Sequence, residues 1–312
     1  MISMRYHIVS LAAVFLALAL GIVLGATKIQ SPLLAGLRDD NAELSNQQGE
    51  LSSTNDDLNA RVSADEKFAG SVGALTVRGT LPSTNVVLFT TAAADPGDRD
   101  ALLSLLNRAG ATVTAQIQLT NDFSDPLRAD ELRQIAATTL PTGAQLPEVP
   151  QAGAVVGGLL SSVLIAPAGG APVANAEQGA AALAALQSAG FITVTGTPAA
   201  GQSVIVLTGA QATGGSEADK AGVVAYLSNQ LAKTATGVVV AGRSGSQDPT
   251  GTVGVIRGDT ALSGTVSTVD NVDSDTGRIA TVLALVEQNG GGQGQYGFGS
   301  NAQAQAPTLA VG

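Results

Sequence analysis

The chain contains no cysteine and no tryptophan, and only one histidine, two methionines, three tyrosines and six phenylalanines in 312 residues. Without cysteine there is no disulfide framework and no thiolate metal site. The single histidine, His7, lies at the edge of an apolar N-terminal run. Ser-His-Asp triads and zinc sites are therefore excluded from everything downstream of that run. A transmembrane β-barrel needs strands of about ten residues and aromatic girdles at both interfaces; with aromatics at 3% the chain cannot furnish the girdles. Positive charge is scarce as well, 15 Lys and Arg against 25 Asp and Glu for a net charge of −10, which is the wrong sign for a nucleic-acid footprint. No nucleic-acid partner is expected.

What the chain does have begins at its N-terminus. Ile8–Ala26 reads IVSLAAVFLALALGIVLGA without a charge, long enough to cross a bilayer as a helix, which takes about 20 apolar residues. The apolar core of a secretory signal is about 7–15 residues long, so residues 1–28 read as an uncleaved anchor. The alternative is a signal peptide cleaved at Ala17-Leu18-Ala19 or Leu24-Gly25-Ala26. Arg5 and the amino terminus precede the run, which places the N-terminus in the cytoplasm and the bulk of the chain outside the membrane. No later run is long enough to return; Ala154–Ala166 is the nearest and is too short. Ala13, Ala17, Gly21 and Gly25 recur every four residues, and the Gly21/Gly25 pair is a small-xxx-small pattern that lets two membrane helices approach closely.

Residues 29–70 read as a coiled-coil stalk. Ser31-Pro32 is a helix-start signal, a capping hydroxyl followed by proline. Leu37, Leu44, Leu51 and Leu58 then recur every seven residues, with Leu34, Asn41, Gln48 and Asn55 three residues before each. This is a heptad with leucine at d and mostly polar residues at a, a pattern that favours two strands in fixed register. A parallel homodimer through Gly21, Gly25, Leu37, Leu44, Leu51 and Leu58 is expected. The alternative is an amphipathic helix packed on its own chain's domain.

Residues 84–288 alternate strand and helix patterns, with two halves, 84–150 and 151–288. Strands are expected at Asn85–Thr90, Ala111–Leu119, Phe191–Val194, Val204–Thr208, Gly237–Ala241 and Val266–Val269. Between them lie helices at Gly97–Ala109, Leu127–Thr138, Ala154–Ile165, Asn175–Ala189, Ser216–Leu231 and Arg278–Gln288. Leu127 is expected inward, and Ser216 is expected to cap its helix. Such alternation predicts an α/β fold, an open and mostly parallel sheet with helices on both faces. Residues 289–312 turn to Gly, Gln, Asn and Ala, too polar to bury a core, and are expected to be a disordered tail.

Chemistry is sparse, and no enzyme is expected. Gly242-Arg243-Ser244-Gly245 follows a strand, and Arg243 would be the partner of any anion held there. Asp270, Asp273 and Asp275 cluster before Gly277, which reads either as a calcium-like loop or as caps and favourable charges for a helix whose cap is Asp275 or Thr276. Asp273 and Arg243 are thus the candidate ligand residues. The only soft-metal ligands are Met1, Met4 and His7.

The blocks MISMRYHIVSLAAVFLALALGIVLG, ALLSLLNRAGATVTAQIQLT, ALQSAGFITV, VVVAGRSGS and STVDNVDSDTGRIATVLALVEQNGG resemble the actinobacterial copper-transporter family typified by MctB, along nearly the whole chain. The resemblance implies a cell-envelope protein of copper efflux and copper homeostasis, described as pore-forming in an outer membrane. It implies no bound cofactor, with copper as the transported ion. SteB-like corynebacterial envelope proteins are closely similar, and they imply an alternative: a non-catalytic, membrane-anchored dimeric scaffold with a cell-division or cell-wall protein as partner, regulating peptidoglycan hydrolysis.

Overall fold

The computed structural model describes residues 4–167, 169–211 and 215–308, apart from the side chains of residues 26–35. The chain divides into two units, residues 1–65 and 66–312. Helix α1, Met4–Thr76, occupies the first unit and the beginning of the second. Its segment Met4–Gly25 is 22 residues long with a mean hydropathy of 2.7 and no buried residue, so by length and composition it can cross a membrane. The helix start expected at Ser31-Pro32 does not occur: α1 continues through it. Pro32 removes one backbone donor without ending the helix. Met1 lies outside the described residues.

The second unit is an open seven-stranded sheet in the order β3-β2-β1-β4-β5-β6-β7. Its strands are β1 Asn85–Thr91, β2 Thr112–Leu119, β3 Ile192–Thr195, β4 Ser203–Leu207, β5 Gly237–Ala241, β6 Ser267–Val269 and β7 Gln295–Tyr296. Every neighbouring pair is parallel except β2 with β3. The helices are α2 Pro96–Ala109, α3 Ala129–Thr138, α4 Ala152–Leu164, α5 Ala176–Ser188, α6 Glu217–Ala232, α7 Thr252–Gly258, α8 Thr260–Ser263 and α9 Asp275–Asn289.

Strand alternation builds two cores. Val87 and Phe89 of β1, Val204 and Val206 of β4, and Val238 and Val240 of β5 face one core with α3 to α7; Val86, Leu88, Ile205, Leu207 and Val239 face the other with α2 and α9. Burial on both faces is why these strands read as unbroken apolar runs. Helix α4, the short apolar run in the sequence, is buried along its entire length. It packs on α6 through glycine: a Cβ added at Gly153 would sit 1.9 Å from the Val223 carbonyl oxygen.

Local signals set most helix ends. Asp95 caps α2 by accepting from the backbone N–H groups of Gly97 and Asp98, and Gly110 closes it at φ +90°. Asn175 and Gln178 form a reciprocal capping box on α5. Three expectations fail. Leu127 is 92% exposed, because Asp125-Pro126 opens a 3-10 turn, Pro126–Arg128, and α3 begins only at Ala129. Ser216 sits at φ +54° and makes no cap bond. The side-chain cap of α9 is Ser274, whose hydroxyl accepts from the Gly277 N–H at 3.0 Å, with Asp275 as the first helical residue.

The tail is the largest correction. Residues 289–308 are not a disordered appendage: β7 adds to the sheet edge beside β6, with Tyr296 5% exposed. The reason is polar rather than apolar. Arg257 and Asp270, whose side chains are 3% and 2% exposed, form an ion pair at 2.6 Å. Arg257 also donates to the Tyr296 carbonyl oxygen at 2.6 Å and to the Asn301 side-chain oxygen at 2.8 Å. Asp270 accepts from the backbone N–H groups of Phe298 at 2.8 Å and Gly299 at 3.1 Å. The composition rule for disorder counts apolar surface and misses a buried pair that needs the segment's backbone to complete its hydrogen bonds.

Candidate functional site

In an open α/β sheet, ligands bind beyond the carboxyl ends of the strands where the strand order reverses. Here the chain runs outward from β1 through β2 on one side and from β4 through β5 on the other, so the reversal falls between β1 and β4. A cavity of ≈120 Å³ lies there, with Thr91, Thr120, Thr208, Lys220, Thr250 and Thr252 among its lining. The two strand-end turns approach so closely that a Cβ at Gly209 would sit 2.5 Å from the Ala93 carbonyl oxygen. The lining is hydroxyl-rich, with Glu217 its single carboxylate and Lys220 its single cation. A second, larger groove of ≈590 Å³ lies between α5 and the β3–β4 connection, floored by Gly179, Ala180, Leu183 and Ala184 and free of charged lining residues.

Beside the same sheet end stands an ionic cluster that holds both ligand candidates of the domain. Arg243 pairs with Asp95 at 3.2 Å and with Asp98 at 3.3 Å; Arg278 pairs with Asp98 at 3.2 Å and with Asp275 at 2.6 Å. Asp273 accepts from the Ser244 backbone N–H at 3.0 Å and from its hydroxyl at 3.1 Å. The Gly97 and Asp98 backbone N–H groups hold the Asp95 carboxyl below its ordinary range, helped by Arg243. Burial pushes Asp98 up, and the neighbouring guanidinium groups oppose that rise. Arg243 is thus already neutralised by two carboxylates, and Asp273 already holds the turn after β5. Both thus have partners within the fold. Among the described residues no group of three or more His, Cys, Asp or Glu could hold a metal ion.

The same cluster contains a residue that the sequence did not point to. Glu66, near the end of α1, accepts from the Asp275 backbone N–H at 2.5 Å and from the Thr276 hydroxyl at 2.9 Å. A carboxylate is thereby placed on the positive end of α9. Gly70 and Gly73 make room for the contact: a Cβ at Gly70 would meet the Asp275 carboxylate at 2.5 Å, and one at Gly73 the Ile279 Cδ1 at 2.6 Å. No local pattern announces a cap donated from 209 residues away. Glu66→Ala is expected to cost about 1 kcal/mol of domain stability, the usual worth of a helix cap. Urea denaturation of the two proteins measures it, and an unchanged midpoint would remove the capping role.

The remaining candidates lie on α1. Met4 is 81% exposed and His7 is exposed one turn later. Gly21 and Gly25 have open space where a Cβ would stand. Leu37, Leu44, Leu51 and Leu58 are 55–71% exposed, a row of leucines at seven-residue spacing.

The family described as "Copper transport outer membrane protein, MctB" matches residues 1–307. Proteins named copper transporter MctB from Mycobacterium tuberculosis (strain ATCC 25618 / H37Rv) and Mycobacterium leprae (strain TN) are each 38% identical to this chain over 312 residues, covering 97% of this chain and 98% of the relative. The copper transporter MctB of Mycobacterium bovis matches over the same length at the same identity. With the match running through the anchor, the leucine row and the α/β unit alike, the chain belongs to the MctB family of copper transport proteins.

Proposed function

We propose that this chain is a cell-envelope protein of copper transport and homeostasis, anchored by Met4–Gly25 with its N-terminus in the cytoplasm and its α/β unit outside the membrane. The observation that carries the reading is whole-length similarity to proteins named copper transporters. The reading has the protein act without catalysis. The test is cell-associated copper under copper load in a deletion strain and its complemented parent. The expected result is higher copper in the deletion strain. Equal copper in the two would sink the transport reading.

A second reading, a dimeric scaffold for a cell-division or cell-wall partner, is favoured by the leucine row. Four leucines more than half exposed at heptad spacing gain from covering one another in a parallel coiled coil. Gly25 and Leu37 are twelve residues apart, an interval that a heptad does not contain. The membrane seam and the stalk seam are therefore separate contacts, and each is tested separately. In a protein whose membrane seam is already parted by Gly21→Leu and Gly25→Leu, replacing Leu44, Leu51 and Leu58 together by Ser is expected to shift the protein in detergent from dimer to monomer, read by light scattering, with the melting of the α/β unit unchanged. A dimer that survives the triple change would remove the coiled coil.

A further inference from the structure

Copper(I) selects thioether sulfur and accepts imidazole nitrogen. In this chain of 312 residues every cysteine, methionine and histidine falls within the first seven positions: Met1, Met4 and His7. Met4 and His7 are both in α1, three residues apart and exposed, so they occupy one face of the helix. One helix supplies two soft ligands there, which is short of what copper(I) needs for tight binding.

The face they share extends along the span. Met4, Leu11, Leu18 and Gly25 follow one another at intervals of seven, and His7, Val14 and Gly21 form the interleaved series, offset by three. Seven residues are close to two helical turns, so both series run along one stripe. That stripe contains the two glycines that open the way to a partner helix. A shallow groove lies on it, formed by Val14, Ala17, Leu18, Gly21 and Ile22. A second copy seated in parallel on this stripe brings its own Met4 and His7 to the same level. Two thioethers and two imidazoles then meet at the amino-terminal end of the membrane seam.

We propose that Met4 and His7 of two chains form a shared copper(I) site at the head of the membrane helix. Each chain contributes half of the ligands, so the seam through Gly21 and Gly25 is what completes the site. The site rests on the copper reading above and gives it a location, the membrane end of the anchor rather than the α/β unit.

The experiment uses the full chain in phospholipid nanodiscs, titrated anaerobically with copper(I) against a chromophoric copper(I) chelator. The wild type is expected to take up about one copper(I) per two chains, the ratio that four ligands from two helices dictate. Met4→Leu and His7→Phe keep the helix apolar and are expected to reduce retained copper to the background of empty nanodiscs. Gly21→Leu with Gly25→Leu, which leaves both ligands in place, is expected to do the same by parting the helices. A wild type that retains no copper(I), a Met4→Leu/His7→Phe double variant that retains as much as the wild type, or a glycine double variant that retains it in full would each overturn the site. The two readings fail separately. Copper accumulation in a deletion strain together with a wild-type protein that retains no copper(I) removes the site and keeps the transport function. Retention at the expected ratio together with unchanged cellular copper keeps the site and removes the transport function.

Discussion

Arg257→Ala is expected to destabilise the α/β unit by about 3–5 kcal/mol, the range for removing one partner of a buried ion pair. The substitution leaves the Asp270 carboxylate, 2% exposed, without its counter-charge. Burial pulls the Arg257 guanidinium below its ordinary value and Asp270 pulls it back, so the pair is held by mutual need at a depth where neither charge is comfortable alone. The same substitution removes the donors to the Thr268 hydroxyl, the Tyr296 carbonyl and the Asn301 side chain. Two observables follow. The denaturation midpoint falls, and residues 290–308 become the first segment cut by a non-specific protease, because their side-chain tie through Arg257 is gone. Arg257→Met with Asp270→Leu does not restore the wild type, although exchanging a buried pair for apolar residues is often neutral. Here Asp270 also accepts from the Phe298 and Gly299 N–H groups, and leucine leaves both unpaired. An Arg257→Ala protein within about 1 kcal/mol of wild type and cut at the wild-type sites would show that the tail is held by β7 pairing alone.

That ion pair also marks where the sequence stops being readable. The sheet was legible because each central strand is an apolar run bounded by Gly, Pro or Asp, and because burial on both faces leaves no polar alternation to misread. The caps Asp95 and Asn175 and the stop at Gly110 are local, a matter of three or four residues. What escaped reading is non-local. Arg257 meets Asp270 across thirteen positions and Asn301 across forty-four, and nothing in the low-complexity run after Asn289 carries a sign of it. Glu66 meets α9 across 209 positions. Arg243 stood out in the sequence as the partner of any anion held by a glycine turn; the fold brings it Asp95 and Asp98 from the start of α2 as well, partners that no local pattern announces. The crevice between β1 and β4 follows from strand order, but the strand order itself depends on pairings that no single segment encodes.

Gly153→Ala is expected to destabilise the α/β unit by about 3 kcal/mol, toward the upper end of what overpacking a close-packed interior costs. The sign is the opposite of the substitution's effect on an isolated helix, where alanine is better than glycine by about 1 kcal/mol. Gly153 is in the first turn of α4 and would place its Cβ 1.9 Å from the Val223 carbonyl oxygen and 2.8 Å from the Val223 carbonyl carbon. Both atoms are backbone of α6, so no side-chain rotation relieves the contact. Helix α4 or α6 must move, and each is fixed elsewhere. Val156, Leu159 and Leu160 of α4 are 0% exposed, as are Ala225, Leu227 and Leu231 of α6. Separating the helices at Gly153 opens the interior on that side of the sheet, and the lost contacts there outweigh the propensity gained. Gly222 lies on the neighbouring helix, one residue from the contact, with no atom within 4 Å of its Cβ position. Gly222→Ala is therefore the control, expected to leave stability unchanged or to raise it by up to about 1 kcal/mol. Parallel urea unfolding of the two variants decides the matter. A Gly153→Ala protein as stable as Gly222→Ala would mean that α4 and α6 can part at no cost, and that the glycine is not what brings them together.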